Sequence, residues 1–316
     1  MTDYQKALNL IRQYDTIVLH RHNSPDGDAL GAQIGLKHIL ADNFPEKKVF
    51  MTGDAAGRYA FMDGAVMDEV PDEVFPQALS IILDCGDAEL VSDERYTKAA
   101  ASLRFDHHLY KGDFTDLDIV ASDFESCCGL LTDFALSEGL RILQPAALAL
   151  YTGMVTDSGR FRYDSTTPRT LRLAAELLER GIDTNALYLQ LYAADIEEVK
   201  RLAAFIQKIR FTEGGVAYLY NTKEEVAALG VSTFDVSRGM IGIMADLKGV
   251  DIWANFTEEG EVIYAELRSS LYNINPVAVK YGGGGHMKAS GATLRSRDEV
   301  TAMLKDLDEI RRSSHV

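Results

Sequence analysis

The sequence predicts an α/β protein, with an N-terminal domain on a doubly wound, mainly parallel sheet and a smaller C-terminal α/β domain joined to it by a helical linker. In the first half, short apolar runs alternate with segments of helical periodicity, which is typical of doubly wound domains. In the second half, the order changes to strand, helix and two further strands. With 316 residues, the chain is also longer than one average domain requires. We therefore predict domains at residues 1–187 and 211–316 and a linker at residues 188–210.

Short apolar runs in the first half predict the strands of the parallel sheet. They lie at residues 16–20, 80–83, 102–105 and 118–120. Polar residues rich in Asp and His follow these runs closely. Because the carboxyl ends of the strands face the ligand crevice of an open parallel sheet, we expect the polar clusters to share one site.

Helical periodicity predicts the segments that cover this sheet, at residues 29–40, 128–137, 146–156 and 168–180. The last segment has Pro168 in its first turn and Gly181 after its end, which are the usual boundary signals. A long helical pattern at residues 185–209 contains no turn signal and is expected to join the two domains.

The second half has the pattern of a small α/β domain. Its predicted elements are a strand at 216–220, a helix, two strands at 251–256 and 261–267 around a turn at 258–260, a glycine loop, and a final helix near 298–311.

Composition and charge narrow the class of protein. Hydrophobic residues make up 47% and charged residues 25% of the chain, which suits large apolar cores and excludes wholesale disorder. No apolar run could span a bilayer and the N-terminus lacks the features of a signal peptide, so we expect a cytoplasmic protein without a membrane partner. The net charge of −16 argues against binding of long nucleic acids. Three cysteines fit neither a disulfide framework nor a cysteine-based zinc site, and we expect reduced, mostly buried thiols.

The first polar cluster contains His22, Asp26 and Asp28, after a predicted strand and at the start of a predicted helix. These side chains can converge because the loop is extended near Pro25 and flexible at Gly27. Metal binding is one interpretation of the cluster. The other is local structure, in which Asp28 caps the helix and Asp26 belongs to a turn.

Two further carboxylates occupy positions where a cation would stabilise them. Asp84 ends a run that should be a buried strand, where an unpaired carboxylate is poorly solvated. An Asx turn leaving the sheet is the alternative, and it suits Asp87 better than Asp84. Asp157 ends an apolar helix, where the helix dipole disfavours negative charge.

The remaining cluster is Asp106, His107 and His108, again directly after a predicted strand. Neutral imidazole can bind a transition metal, and a neighbouring carboxylate can fix its tautomer. A single histidine would more often be structural, but two in succession beside an aspartate favour a functional site.

These clusters supply oxygen and imidazole ligands and no cysteine. Such ligands favour Mn²⁺, with Mg²⁺ or Co²⁺ as possibilities, over structural zinc. The number of ligands predicts two divalent metal ions. Their charge would be roughly balanced by the carboxylates of Asp26, Asp28, Asp84 and Asp157.

At these residues the sequence resembles the DHH phosphoesterase superfamily, which is named for the tripeptide at residues 106–108 and whose four motifs occur here in order. The glycine run at 282–285, followed by His286 and by Ala289-Ser290-Gly291, resembles the DHH-associated type 1 domain. Similarity extends from about residue 16 to about residue 293, and the domain pairing looks most like the bacterial group of nanoRNases and pAp phosphatases. A glycine run can also be a plain linker, but its position before His286, together with Arg268 at a predicted strand end, favours an anion site.

The resemblance implies a role for each motif residue. One metal ion would be held by His22, Asp26 and Asp84, and the other by Asp28, Asp84, His107 and Asp157. The catalytic set would be Asp84 as the bridge between the ions, His108 facing the substrate phosphate, and Asp106 supporting it. The implied substrate-binding residues are Arg268, Ser269, Gly283, Gly284, Gly285 and His286.

The activity implied by the resemblance is hydrolysis of short RNA or DNA oligonucleotides, linear dinucleotides or pAp by a hydroxide that two metal ions activate. A homodimer is the default expectation. The alternatives are a type II inorganic pyrophosphatase, which lacks the glycine and histidine loop, a RecJ-like exonuclease, which carries further nucleic-acid-binding domains, and a catalytically silent nucleotide sensor. Intact ligands in all four motifs argue against the sensor.

Overall fold

The computed structural model describes residues 1–313, and contacts divide the chain into a first unit, residues 1–193, and a second unit from residue 194 on. The last three residues of the predicted domain at 211–316 lie outside the described residues. The first unit contains α1 (Asp3–Gln13), β1 (Thr16–Arg21), α2 (Gly27–Asn43), β2 (Lys48–Met51), β3 (Leu79–Leu83), β4 (Ala101–Asp106), β5 (Leu117–Val120), α3 (Cys127–Ser137), α4 (Gln144–Asp157), α5 (Pro168–Leu178) and α6 (Thr184–Tyr192). The second unit contains α7 (Ile196–Gln207), β6 (Arg210–Phe211), β7 (Ala217–Asn221), α8 (Lys223–Leu229), β8 (Ile252–Glu259), β9 (Val262–Ser269), α9 (Asn275–Lys280), β10 (Gly284–His286), β11 (Ala289–Leu294) and α10 (Arg297–Ser313).

The strands of the first unit form one parallel sheet in the order β2-β1-β3-β4-β5, which confirms the predicted α/β class. On one face, Ile17 and Leu19 of β1 pack into the main core with the long helices. On the other face, Val18 packs against Phe75 in the 3₁₀ segment Asp72–Gln77. Short 3₁₀ segments therefore cover much of the face on which a doubly wound domain would usually carry α-helices.

Strand β2 was not predicted from the sequence. Its residues, Lys48 to Met51, are exposed or half-buried except for Met51. It pairs with β1 alone, at the edge of the sheet. An edge strand with one buried side chain lacks the apolar run that identified the central strands.

Glycines at four-residue spacing on α2 allow α4 to lie very close to it. A Cβ added at Gly27 would clash with Thr156 Oγ1, and one at Gly31 would lie 2.5 Å from the carbonyl oxygen of Ala149. Only glycine fits positions where helix backbones approach this closely. The approach brings the first turn of α2 next to the last turn of α4.

The second unit is built on a mixed sheet in the order β10-β11-β9-β8-β7-β6, in which β7 and β8 are parallel and the other neighbours antiparallel. One face packs against α9 and α10, through side chains such as Phe256 and Leu267. On the other face, Trp253 and Leu219 pack with Phe205 of α7 and with the segment at residues 235–244. The continuation of that face over β9, β11 and β10 lines a pocket.

The helix expected to continue through residues 185–209 is interrupted, so that part of the prediction was wrong. Helix α6 ends at Tyr192, and α7 begins at Ile196. Asp195 caps α7, because its Oδ1 accepts a hydrogen bond of 2.8 Å from the backbone N–H of Glu198. The capping aspartate was the available turn signal, since the two alanines before it favour helix by propensity.

The prediction of a glycine loop before the last helix was also partly wrong. Residues Gly284–His286 form β10, which pairs antiparallel with β11 through a two-residue turn at Met287 and Lys288. Neither β11 nor the short helix α9 was predicted. The final helix, expected near residues 298–311, is α10.

Two expectations about composition can be compared with the fold. All three cysteines are free and buried, as predicted. No helix within residues 1–313 combines the length and apolar character that membrane spanning requires.

Candidate metal centre and anion pocket

The polar clusters of the sequence meet at the carboxyl edge of the first sheet. Strands β1, β3 and β4 are neighbours in the sheet, and His22, Asp84 and His107 follow their respective ends within one residue. The close pairing of α2 with α4 adds Asp28 from the first turn of one helix and Asp157 from the last turn of the other. The structure thus brings all the predicted metal ligands to one edge.

The ligand atoms form three groups, in each of which they lie within 4.8 Å of one another. The groups are His22 with Asp26 and Asp84, Asp28 with His107 and Asp157, and Asp84 with His107 and His108. Asp84 Oδ2 is 3.5 Å from His22 Nε2, while Asp84 Oδ1 is 3.4 Å from His107 Nε2. The two oxygens of one carboxylate therefore face different groups, which is the arrangement of a bridging ligand.

Backbone carbonyls orient both histidines. His22 Nδ1 is 2.7 Å from the carbonyl oxygen of Asn23, and His107 Nδ1 is 3.4 Å from that of Phe124. Since a carbonyl oxygen only accepts hydrogen bonds, the proton of each neutral ring lies on Nδ1 and leaves the Nε2 lone pair facing the carboxylates. His107 Nε2 is also 3.4 Å from Asp157 Oδ2 and 3.8 Å from Asp28 Oδ2.

Asp28 is held in the centre by the N-terminus of α3. Its Oδ2 accepts a 2.7 Å hydrogen bond from the backbone N–H of Cys127, and its Oδ1 accepts one of 2.9 Å from that of Cys128. Asp26 is the residue that caps α2, because its Oδ1 accepts from the N–H groups of Asp28 and Ala29. The alternative interpretation from the sequence, in which Asp28 caps the helix, is therefore wrong. The two α3 amides carried no sequence signal, since they lie about a hundred residues away.

Asp84 is buried in a strained backbone conformation. It is 2% exposed, has a φ of +56°, and its Oδ1 receives no hydrogen bond within residues 1–313. Left-handed backbone is unfavourable for a residue other than glycine, and residues held in it concentrate at functional sites. A buried carboxylate oxygen without a donor fits a metal ligand.

The carboxylates raise one another's affinity for a positive partner. Burial, with the charges of Asp84 and Asp26, raises the pKa of Asp157 to about 6, and burial likewise raises the pKa of Asp28. Burial alone would lower the pKa of His107, but the surrounding carboxylates, Asp84 first, raise it to about 10. Protons thus compensate the acidic groups, and divalent cations would replace those protons at the same oxygens and nitrogens.

His108 is fixed by Asp106. Its Nδ1 is 2.7 Å from Asp106 Oδ1, and this hydrogen bond raises the pKa of His108. Asp106 is buried, whereas the His108 side chain is half exposed. With Nδ1 donated to the carboxylate, Nε2 remains available to a ligand at the surface of the centre.

The second unit contains a pocket of about 660 Å³ over the glycine-rich hairpin, here called the anion pocket. Arg268 of β9 is opposite Ala289 of β11, which is opposite His286 of β10, so the three side chains share one face. In the next row, Glu266 Oε2 accepts from Arg268 Nη1 at 3.2 Å, and Glu266 Oε1 accepts from Arg238 Nε at 2.9 Å. Two guanidinium groups on one carboxylate leave an excess positive charge in the pocket.

The glycines of the predicted substrate-binding set have different roles. A Cβ at Gly283 would clash with the carbonyl oxygen of Gly291, and Gly285 has a φ of +131° and lies against Ala289. The hairpin itself therefore requires these two glycines. Gly284, by contrast, has open space around its α-carbon among the described residues, so its backbone forms an accessible floor of the anion pocket.

The side chain of Ser269 makes hydrogen bonds to the backbone of its own unit. Its hydroxyl donates to the carbonyl oxygen of Asp251 at 2.8 Å and accepts from the backbone N–H groups of Leu271 and Tyr272. These three hydrogen bonds use the full capacity of a hydroxyl group. The Ser269 hydroxyl is thus fully engaged within the second unit, and a contact of this residue with substrate stays a prediction.

Arg238 and Glu266 were not identified from the sequence as residues of this pocket. Arg238 lies in the π-helical segment Asp235–Gly239, and Glu266 precedes the predicted Arg268 by two residues in β9. The period of two in a strand puts Glu266 and Arg268 on one face and could have indicated Glu266. Nothing local to Arg238 indicated its position.

The chain is similar to known proteins over nearly its whole length. Residues 16–154 match the model of the DHH family, N-terminal domain, and residues 224–312 match the DHHA1 domain. The chain is 34% identical over 308 residues to the bifunctional oligoribonuclease and PAP phosphatase NrnA of Bacillus subtilis, covering 96% of this chain and 97% of that protein. It is 33% identical over 311 residues to the probable bifunctional oligoribonuclease and PAP phosphatase NrnA of Streptococcus mutans, covering 97% and 99%. An exopolyphosphatase-related protein from Bacteroides fragilis has a similar structure, with a TM-score of 0.86, 25% identity, and coverage of 98% of this chain and 97% of that one.

Proposed function

Because the chain belongs to the DHH family of metal-dependent phosphoesterases, we propose that it hydrolyses very short oligoribonucleotides and linear dinucleotides to mononucleotides and removes the 3′-phosphate of pAp. The proposal rests above all on the position of Asp84, whose two carboxylate oxygens face two separate groups of ligands. The names of the relatives in Bacillus and Streptococcus support the choice of substrates.

Two divalent cations, most suitably Mn²⁺ and alternatively Mg²⁺ or Co²⁺, are the proposed cofactors. The donor set is made of carboxylate oxygens and imidazole nitrogens, which suits these ions. One ion would be held by His22, Asp26 and Asp84, and the other by Asp28, Asp84, His107 and Asp157. When bound, the ions would supply Lewis acidity to the phosphoryl group and lower the pKa of a water molecule.

The protein's own groups would orient the substrate and manage protons. The α3 amides hold the Asp28 carboxylate, and the carbonyls of Asn23 and Phe124 hold the histidine rings, so the ligands need little reorganisation. Asp106 holds His108 with Nε2 outward, where it can donate a hydrogen bond to a phosphate oxygen in its protonated state.

The second unit is proposed to determine which substrates are accepted. Arg268 and His286 share one face of the sheet and would bind a phosphate group, over a floor at Gly284 where backbone is accessible. The net charge of −16 disfavours long nucleic acids, so this local positive charge suits a small anionic substrate.

The proposal is tested with a substrate panel and Mn²⁺, comprising a diribonucleotide, pAp, bis-p-nitrophenyl phosphate, inorganic pyrophosphate and a long single-stranded RNA. We expect turnover of the first three, loss of turnover in EDTA, and little activity on the last two. Preference for pyrophosphate would favour a pyrophosphatase, and processive degradation of the long strand would favour an exonuclease. Nucleotide binding without turnover in Mn²⁺ would favour a sensor.

Variants of the anion pocket test the division of roles. Arg268→Ala and His286→Ala should lower kcat/KM for the dinucleotide by roughly 10- to 100-fold, because each removes a charged hydrogen bond to phosphate. Hydrolysis of bis-p-nitrophenyl phosphate and metal binding should change little. Arg295→Ala, at an exposed arginine outside the pocket, is the matched control. Equal losses on both substrates would contradict the assignment.

A further inference from the structure

A second pocket of about 300 Å³ adjoins the anion pocket in the second unit. Arg238, Tyr264 and Glu266 line both pockets, so the two lie side by side. The smaller one, here called the aromatic pocket, is further lined by Phe234 and Ser237. Nothing in the proposed phosphate binding or chemistry uses these two residues.

Phe234 is exposed in a way that suits stacking. The residue is 62% exposed, although a large aromatic residue is normally much more buried. The Arg238 guanidinium lies 5.3 Å from the ring centroid. An aromatic face beside a guanidinium group is the usual platform for a nucleic-acid base, which stacks on either plane.

The platform is held firmly by the fold. Phe234 directly precedes the π-helical segment Asp235–Gly239, and Arg238 belongs to it. The π-helix is a rare conformation that is frequent at functional sites. Asn255, fully buried in β8, donates hydrogen bonds of 2.7 and 2.8 Å to the carbonyl oxygens of Val236 and Ser237. The segment is thus fixed to the sheet, and its side chains are presented with little loss of freedom on binding.

Ser237 supplies an independent indication of a ligand. The residue is 4% exposed and its Oγ has no hydrogen-bond partner within residues 1–313. A buried hydroxyl without a partner is unfavourable, and a polar atom of a bound molecule would remove that penalty. Tyr264, which also lines the aromatic pocket, makes a side-chain hydrogen bond to Glu259 that raises the pKa of the tyrosine.

We propose that the aromatic pocket binds the nucleobase of the substrate nucleotide whose phosphate occupies the anion pocket. The base stacks on Phe234, and a ring nitrogen or carbonyl oxygen at its edge accepts a hydrogen bond from Ser237 Oγ. Purines, with their larger π surface, are bound more tightly than pyrimidines. This inference rests on the proposed function, because it identifies the part of a nucleotide that the second unit recognises besides phosphate.

The test is equilibrium binding of AMP and of ribose 5-phosphate to the full chain in EDTA, where no turnover occurs. Phe234→Ala should weaken AMP binding by about 5- to 100-fold and leave ribose 5-phosphate binding unchanged, because only AMP has a base to stack. Phe234→Tyr should restore AMP binding, since it retains an aromatic face. Ser237→Ala should weaken AMP binding by a smaller factor. Phe211→Ala removes another exposed aromatic residue of this unit, outside both pockets, and should change neither affinity.

Two results would overturn the inference: unchanged AMP affinity in Phe234→Ala, or equal weakening of AMP and ribose 5-phosphate. The proposed function is judged separately, by hydrolysis of dinucleotides by the wild-type protein. If the wild type hydrolyses them and Phe234→Ala prefers intact over abasic dinucleotides as strongly as the wild type does, the base pocket is wrong and the activity stands. If the wild type hydrolyses no phosphate ester but AMP binding still depends on Phe234, the base pocket stands and the activity is wrong.

Discussion

Gly153 of α4 should be essential to the position of Asp28, and Gly153→Ala is the most direct test of how the fold builds the metal centre. A Cβ at this position would clash with Cys128 Sγ and would lie 2.8 Å from Asp28 Oδ1 and 3.0 Å from Asp28 Cα. Ordinary contacts are 3.4–4 Å, so both the thiol and the carboxylate must move. Overpacking of this kind costs about 1–3 kcal/mol, and the better helix propensity of alanine returns up to about 1 kcal/mol.

Because the added Cβ would lie under 3.0 Å from both the Cys128 thiol and the Asp28 carboxylate, we place the overpacking cost at about 2–3 kcal/mol. Subtracting about 1 kcal/mol for helix propensity, we expect Gly153→Ala to lower the free energy of unfolding by about 1–2 kcal/mol. Urea denaturation in EDTA measures this change, and Mn²⁺ titration should show weaker binding at the ligands around Asp28. Gly242→Ala is the control, because a Cβ there has open space among the described residues. Cys128→Ala in the Gly153→Ala background should recover part of the stability by removing one of the clashing atoms. A Gly153→Ala protein with wild-type stability and metal affinity would refute the reasoning.

Two further predictions follow from the histidines. His107→Ala should weaken the metal site formed with Asp28 and Asp157 and retain that of His22 and Asp26, and a Mn²⁺ titration with two unchanged affinities would contradict the assignment. Burial lowers the pKa of His20 to about 4, so below its ordinary value of about 6.5 the unfolded chain binds a proton that the folded chain does not. Stability should consequently fall by about 2 kcal/mol between pH 7 and pH 5 on account of this residue, and His20→Gln should show a correspondingly smaller loss in urea denaturation at the two pH values.

The sequence alone was sufficient to predict where the central strands end. Each apolar run there is buried on both faces and is followed at once by a polar cluster, so local pattern and final position agree at Asp84 and at Asp106. The convergence of those clusters followed from one rule about parallel sheets. It did not require knowledge of any particular contact.

The parts that could not be predicted depend on partners distant in sequence. The amides of Cys127 and Cys128 reach Asp28 only after α2 and α3 have packed together. Arg238 enters the anion pocket because a π-helical turn is held by Asn255, seventeen residues later in the chain. The glycine run looked like a loop since the edge strand β10 is defined by its pairing with β11. In each case tertiary contacts decided a question that local propensity left open.

The backbone of Asp84 gives a final prediction, which separates strain from ligand chemistry. Its φ of +56° is unfavourable for any side chain with a Cβ, whereas glycine adopts it freely. Asp84→Gly should therefore be more stable than Asp84→Ala by roughly 0.5–1 kcal/mol in EDTA, although both variants should lose turnover with the bridging carboxylate. At Asp106, which ends a strand in extended backbone, the order should reverse, with alanine more stable than glycine. Urea denaturation of the four variants measures both differences. If alanine were as stable as glycine at position 84, the left-handed conformation would be a consequence of the carboxylate's own contacts, and the sheet would not be imposing strain on the residue that joins the two ligand groups.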